Sequence, residues 1–279
     1  MRFQSNLRLM GMHGRPIWMD VASPDTDEPV PVVIFAHGFK GFKDWGHFNL
    51  LPAWFVHEGF AFIKFNFSFN GIALEGGEEL SDLQAFAENN FSIELDDLGQ
   101  VIDWVETHAG HWNFNTQKIF LIGHSRGGGL VLLKATEDVR VAGVVSWAGV
   151  TDLGRYWMGD LLDHWLRDGV QYVLNARTGQ QMPMKIQFYH DYINNKHRFD
   201  LYSRLHLLTQ PVLHIHGTAD AAVPYSWGTE FKERHPAITL HSIEGADHVF
   251  GSRHPWEHPE PAPGVREVLN RTVSFLNME

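Results

Sequence analysis

The pentapeptide Gly123-His124-Ser125-Arg126-Gly127 sets a serine hydroxyl between two glycines. It follows the apolar run Lys118–Ile122, which reads as a strand, and opens Arg126–Thr136, which reads as a helix. In a strand–turn–helix setting such a serine takes a strained backbone conformation. Side chains two residues away on either side would collide with the adjoining strand or helix, and glycine removes the clash. The turn lifts the hydroxyl above the sheet edge, and the helix N-terminus beneath it favours developing negative charge. A phosphate-cradling loop, or a plain Gly-rich turn, is the alternative reading of the same residues.

A hydroxyl becomes a nucleophile only when a base takes its proton, so an imidazole and an orienting carboxylate should follow. The apolar strand Val212–His216 runs into Gly217-Thr218-Ala219-Asp220, and Ile238–Ile243 runs into Glu244-Gly245-Ala246-Asp247-His248. Asp220 and His248 therefore sit just past strand ends, on the edge that carries Ser125. Asp152, also after a strand, is the main rival acid. His241, His254 and His258 fit the base position less well, and Asp247 reads as a loop-capping carboxylate. Two backbone donors complete the chemistry by holding an oxyanion: Arg126 N–H, after the nucleophile, and Phe39 N–H, in the loop His37-Gly38-Phe39-Lys40-Gly41-Phe42. The aromatics Phe39, Phe42, Trp45, Trp147, Trp157 and Phe250 could line an apolar acyl pocket. His214 with His216, and His254 with His258, have spacings that some metal sites use. The expectation is nonetheless no metal and no cofactor.

These residues need a scaffold that brings strand ends to one edge. Val30–Ala36, Phe60–Phe65, Lys118–Ile122, Val141–Ser146 and Val212–His216 are short, nearly unbroken apolar runs, as in strands buried on both faces. Helical patterns separate them at Phe48–His57, Glu94–His108 and Arg126–Thr136, and a last one carries Val265, Val268, Leu269, Thr272 and Leu276. The alternation implies βαβ units and a mostly parallel sheet with helices on both faces. Phe3–Leu9 and Arg15–Asp20 read as two further strands around a turn. Residues 151–205 break the rhythm and are read as an inserted cap, with helix at Leu161–Arg167 and a hairpin about Ala176–Gln180. The core is then 1–150 with 206–279.

The motifs HGF at His37–Phe39, GHSRGG at Gly123–Gly128, HGTAD…VP at His216–Pro224 and GADH at Gly245–His248 together resemble the α/β-hydrolase superfamily, over nearly all the chain but the cap. Within it the chain looks most like the cinnamoyl/feruloyl-esterase and dienelactone-hydrolase-like members, shading into prolyl-oligopeptidase-type catalytic domains. The resemblance implies an α/β-hydrolase fold and hydrolysis of a small-molecule carboxylic ester through an acyl-enzyme. Ser125 would be the nucleophile, His248 the base and Asp220 its orienting acid. Dienelactone hydrolases proper use cysteine, which this chain lacks. Dehalogenases and epoxide hydrolases of this fold need aspartate where Ser125 stands. A peptidase or thioesterase on the same triad, or a non-catalytic binding module of this fold, are the alternatives.

The 279 residues carry 33 Asp and Glu against 22 Lys and Arg, a net charge of −11 that argues against nucleic-acid or anionic-membrane binding. Lacking cysteine, the chain has no disulfide scaffold and no Cys-ligated metal. With no signal-peptide pattern and no apolar run near the ~18 residues of a span, a cytoplasmic protein is expected. A homodimer is left open. The acidity is local: between Lys64 and Lys118 there are ten acids and no Lys or Arg. That stretch reads as a solvated face, with a calcium site as the alternative.

Overall fold

A computed structural model describes residues 1–73, 80–157 and 160–279, with side chains except those of 156, 157, 160 and 161. Eight strands form one sheet: β1 (Arg2–Met10), β2 (Pro16–Ser23), β3 (Val30–Ala36), β4 (Ala61–Asn66), β5 (Phe114–His124), β6 (Val141–Trp147), β9 (Val212–Gly217) and β10 (Thr239–Ile243). A separate hairpin pairs β7 (Val170–Asn175) with β8 (Gln180–Lys185). The order across the sheet is β1-β2-β4-β3-β5-β6-β9-β10. The six strands from β4 to β10 are parallel, and β1 and β2 add an antiparallel edge.

The unbroken apolar runs are explained by burial on two sides. Along β3, Val32, Ile34 and Ala36 enter one apolar layer, while Val33 and Phe35 enter the other. Leu95, Leu98 and Val101 of helix Phe91–Thr107 and Leu130–Leu133 of helix Arg126–Ala135 fill the first layer. The second is filled by Leu51 and Phe55 of helix Leu51–His57 and by Val265, Val268 and Leu269 of helix Pro263–Leu276. A one-residue register slip in β3 would exchange the two sets, so packing specifies where each strand ends.

Helix Phe91–Thr107 starts three residues before the Glu94 read from its apolar spacing, because Asn90 caps it, accepting from Ile93 N at 2.9 Å. Residues 151–205 lie between β6 and β9 and hold helix Asp160–Asp168, the β7–β8 hairpin and helix Gln187–Asn194. No helix among the described residues is long and apolar enough to cross a membrane.

The acidic stretch is only in part the solvated face expected of it: Asp103 and Glu106 are exposed, but its acids are answered by bases. Asp82 pairs with Arg15, Glu88 with Lys185, Glu94 with Arg126, and Asp96 with His13 and Arg198, while Asp103 and Glu106 share Arg140. Asp97 is buried and accepts from Ser68 N at 2.7 Å. Bases far along the chain thus answer acids that look unopposed in sequence. Glu75, Glu78 and Glu79 lie outside the described residues.

Candidate active site

Ser125 occupies the turn between β5 and helix Arg126–Ala135 with φ 58° and ψ −120°, a left-handed conformation that costs an L-residue energy. Its carbonyl is held from two sides, by Gly129 N at 3.3 Å and Val150 N at 3.0 Å. The flanking glycines are sterically required. A Cβ on Gly123 would lie 2.2 Å from Gly127 O, and one on Gly127 would lie 2.3 Å from Ala36 O.

Asp220 and His248 follow β9 and β10, which pair in parallel. His248 Nδ1 donates to Asp220 Oδ2 at 2.7 Å, leaving Nε2 as the ring's free lone pair. The other carboxylate oxygen accepts from Ala222 N and Val223 N, each at 2.8 Å. Burial alone would raise the Asp220 carboxyl, but hydrogen bonds from His216 and His248 hold it well below the usual carboxylate range. Asp152, the rival acid, is occupied elsewhere: it accepts from Gly154 N and pairs with Arg155. Asp247 caps its own loop through Val249 N and Gly251 N. His241 meets Glu267, and His254 Nδ1 accepts from Gly46 N.

Ser125 and His248 line one cleft of about 390 Å³ together with Gly38 and Phe39. The β3 loop runs hard against the serine, since a Cβ on Gly38 would lie 2.9 Å from Ser125 Cβ. Neither Phe39 N nor Arg126 N has an acceptor among the described residues. The side chains of these two residues are stacked, with the Arg126 guanidinium 3.9 Å from the Phe39 ring centroid. Glu94 pairs with that guanidinium at 3.4 Å. Burial pushes the Glu94 carboxyl up, against the pull of Arg126 and Asn89. The foot of the loop is anchored by buried Lys43, which bonds Asp20 at 2.9 Å and also Asp44, and Lys64 bonds Asp44 in turn.

A family model, BD-FAE, matches residues 19–234. The chain belongs to the BD-FAE family. Est1E from Butyrivibrio proteoclasticus superposes with a TM-score of 0.71 over 99% of this chain and 98% of its own, at 19% identity. Among curated relatives, an uncharacterized 31.7 kDa protein in the traX-finO intergenic region of Escherichia coli is 31% identical over 132 residues, 46% of this chain and 41% of its own length. The quorum-quenching protein AidA of Acinetobacter baumannii is 26% identical over 129 residues, 46% of this chain and 38% of its own. The chain thus spans less than half the length of these relatives. Family and fold place it in the α/β-hydrolase fold.

In this BD-FAE chain the structure brings together the five residues singled out from sequence and adds others. His216 Nε2 lies 3.0 Å from Val223 O and 3.2 Å from Asp220 Oδ2, both acceptors, so it carries the proton. Its Nδ1 accepts from His214 Nε2 at 3.1 Å. The two histidines spaced for metal therefore bond each other and the acid. Of the five described aromatics, Phe39 and Trp45 line the cleft, joined by Phe48; Phe42, Trp147 and Phe250 are buried, and the Trp157 side chain lies outside the described residues. The cleft also takes in Lys40, Arg177 and Arg253, which no motif marks.

Proposed function

We propose that this chain is a serine hydrolase that cleaves carboxylic esters through an acyl-enzyme. The observation that carries the reading is the Asp220–His248 hydrogen bond, with His248 and Ser125 in one cleft. Ser125 Oγ attacks the acyl carbon as its proton passes to His248 Nε2, and Asp220 steadies the imidazolium. The N–H groups of Phe39 and Arg126 receive the oxyanion; each such donor is worth about 2.7–4 kcal/mol in the transition state. As the carbon–alkoxide bond breaks, His248 returns the proton to the departing alcohol. Water, deprotonated by the same ring, then cleaves the acyl–serine ester and restores both groups. Residues 151–205 serve as the cap, since Asn175, Ala176 and Arg177 wall the cleft and Lys40 Nζ reaches across to Leu174 O at 2.9 Å.

The test is labelling by a fluorophosphonate together with turnover of p-nitrophenyl esters. Wild type should label and turn over, and Ser125→Ala should do neither. Equal labelling of the two proteins would falsify the assignment. Faster turnover of a peptide amide or an acyl-CoA than of any ester would replace the esterase by a peptidase or thioesterase.

A further inference from the structure

The described residues lining the cleft include Lys40, Arg177 and Arg253 and no Asp or Glu. This is a marked departure for a chain with 33 acids and 22 Lys and Arg. The three cations come from three separate loops: Lys40 follows β3, Arg177 sits in the β7–β8 turn, and Arg253 follows His248. Elsewhere eight arginines (15, 126, 140, 155, 167, 198, 234 and 266) hold carboxylates. The guanidinium groups of Arg177 and Arg253 have no carboxylate partner among the described residues, and Lys40 gives its ammonium to a neutral carbonyl. Convergent cations without counter-ions raise the local concentration of anions and reward their binding. A guanidinium fork also matches a carboxylate in shape.

We propose that the natural ester carries a carboxylate, on the part of the molecule that reaches the cleft mouth, where Lys40, Arg177 and Arg253 receive it. This rests on the esterase reading of the same site. Solvent-exposed pairs are each worth about 1.4- to 5-fold, so three together give a preference of roughly three- to one-hundred-fold.

Two matched pairs test it on the full chain. The half-ester p-nitrophenyl hydrogen glutarate against p-nitrophenyl pentanoate puts the charge on the acyl side. Para-acetoxybenzoate against its methyl ester puts it on the alcohol side. The expected result is a higher kcat/KM for the charged member of at least one pair at low ionic strength. That preference should shrink at about 0.5 M salt, where the Debye length is only ~4 Å. It should also shrink several-fold in an Arg177→Gln, Arg253→Gln double variant. Because the readout is a ratio within one enzyme, a loss of folded protein cancels. Turnover with no charge preference in either pair, or a preference that neither salt nor the substitutions alter, overturns the proposal and leaves the esterase standing. Labelling of Ser125 with no turnover of either pair also counts against it. Absence of both labelling and turnover overturns the esterase reading and this one with it.

Discussion

One oxygen of Asp220 faces two imidazoles, of which His248 donates to it and His216 gives its proton to Val223 O. His248 approaches Oδ2 at 2.7 Å and His216 at 3.2 Å, while the backbone occupies the other oxygen. His216 is therefore a positioning residue: it limits how the carboxylate can rotate and never meets substrate. Replacing it by alanine should lower kcat about ten-fold with little change in KM, a close polar contact to a charged carboxylate being worth about 1.5 kcal/mol. Asp220→Asn should cost about 10³–10⁴-fold, since it lets the imidazole take the wrong tautomer. If His216 acts through Asp220, the double variant should be no slower than Asp220→Asn alone, whereas independent packing damage would add. Steady-state rates of the three variants decide between the two. The sequence marks the proposed acid and base by their places after β9 and β10. It hides His216 because a strand histidine reads as core or ligand until the loop folds back beneath it.

At the scale of elements, the segment between β6 and β9 is joined to the core behind Arg126, one of the two proposed oxyanion donors. Asp191 accepts from Ser92 N and Ser92 Oγ at the start of helix Phe91–Thr107. The Phe188 ring lies 4.7 Å from Phe91, and the Arg126 guanidinium 5.3 Å from Phe188. Phe188→Ala should therefore destabilise by about 3–5 kcal/mol, the range for removing a buried phenylalanine. It should also lower kcat by loosening Arg126, so a thermal melt and a rate on the same sample should fall together. A loss of stability with kcat intact would detach this helix from the site. The apolar strands β3 and β6 are legible within a residue because two-sided burial writes them as continuous runs. Helix Tyr225–Arg234 escapes the reading, since it buries only Gly228 and Phe231 and so shows no stripe. The salt links of the acidic stretch escape for a different reason: Arg15, Lys185 and Arg198 are distant in sequence and meet it only after folding.

For the molecule as a whole, buried imidazoles set the acid limit. Burial lowers His37 to about 4 and His47, His124 and His214 to about 3. Unfolded, each would bind a proton below about pH 6.5. Their contribution to stability is thus complete above that pH and is lost as pH falls towards 4 and 3. Two carboxyls act in the opposite sense: burial raises Asp97 to about 7, so it releases a proton on unfolding across this range, and burial pushes Glu94 in the same direction. Four imidazoles that gain protons on unfolding outweigh the carboxyls that lose them, so stability falls as the pH drops from about 6 to 5. Denaturant midpoints at pH 7, 6 and 5 should fall accordingly, and a flat series would contradict the burial of these rings as neutral groups. The strained peptide at Ser125 sets stability against reactivity in one residue. Glycine would accept φ 58° at little cost, and the fold would lose nothing but the hydroxyl proposed as its nucleophile. Directed evolution for heat resistance alone would drift towards that inert, relaxed turn. Only selection for turnover can keep a hydroxyl where the backbone would rather have none.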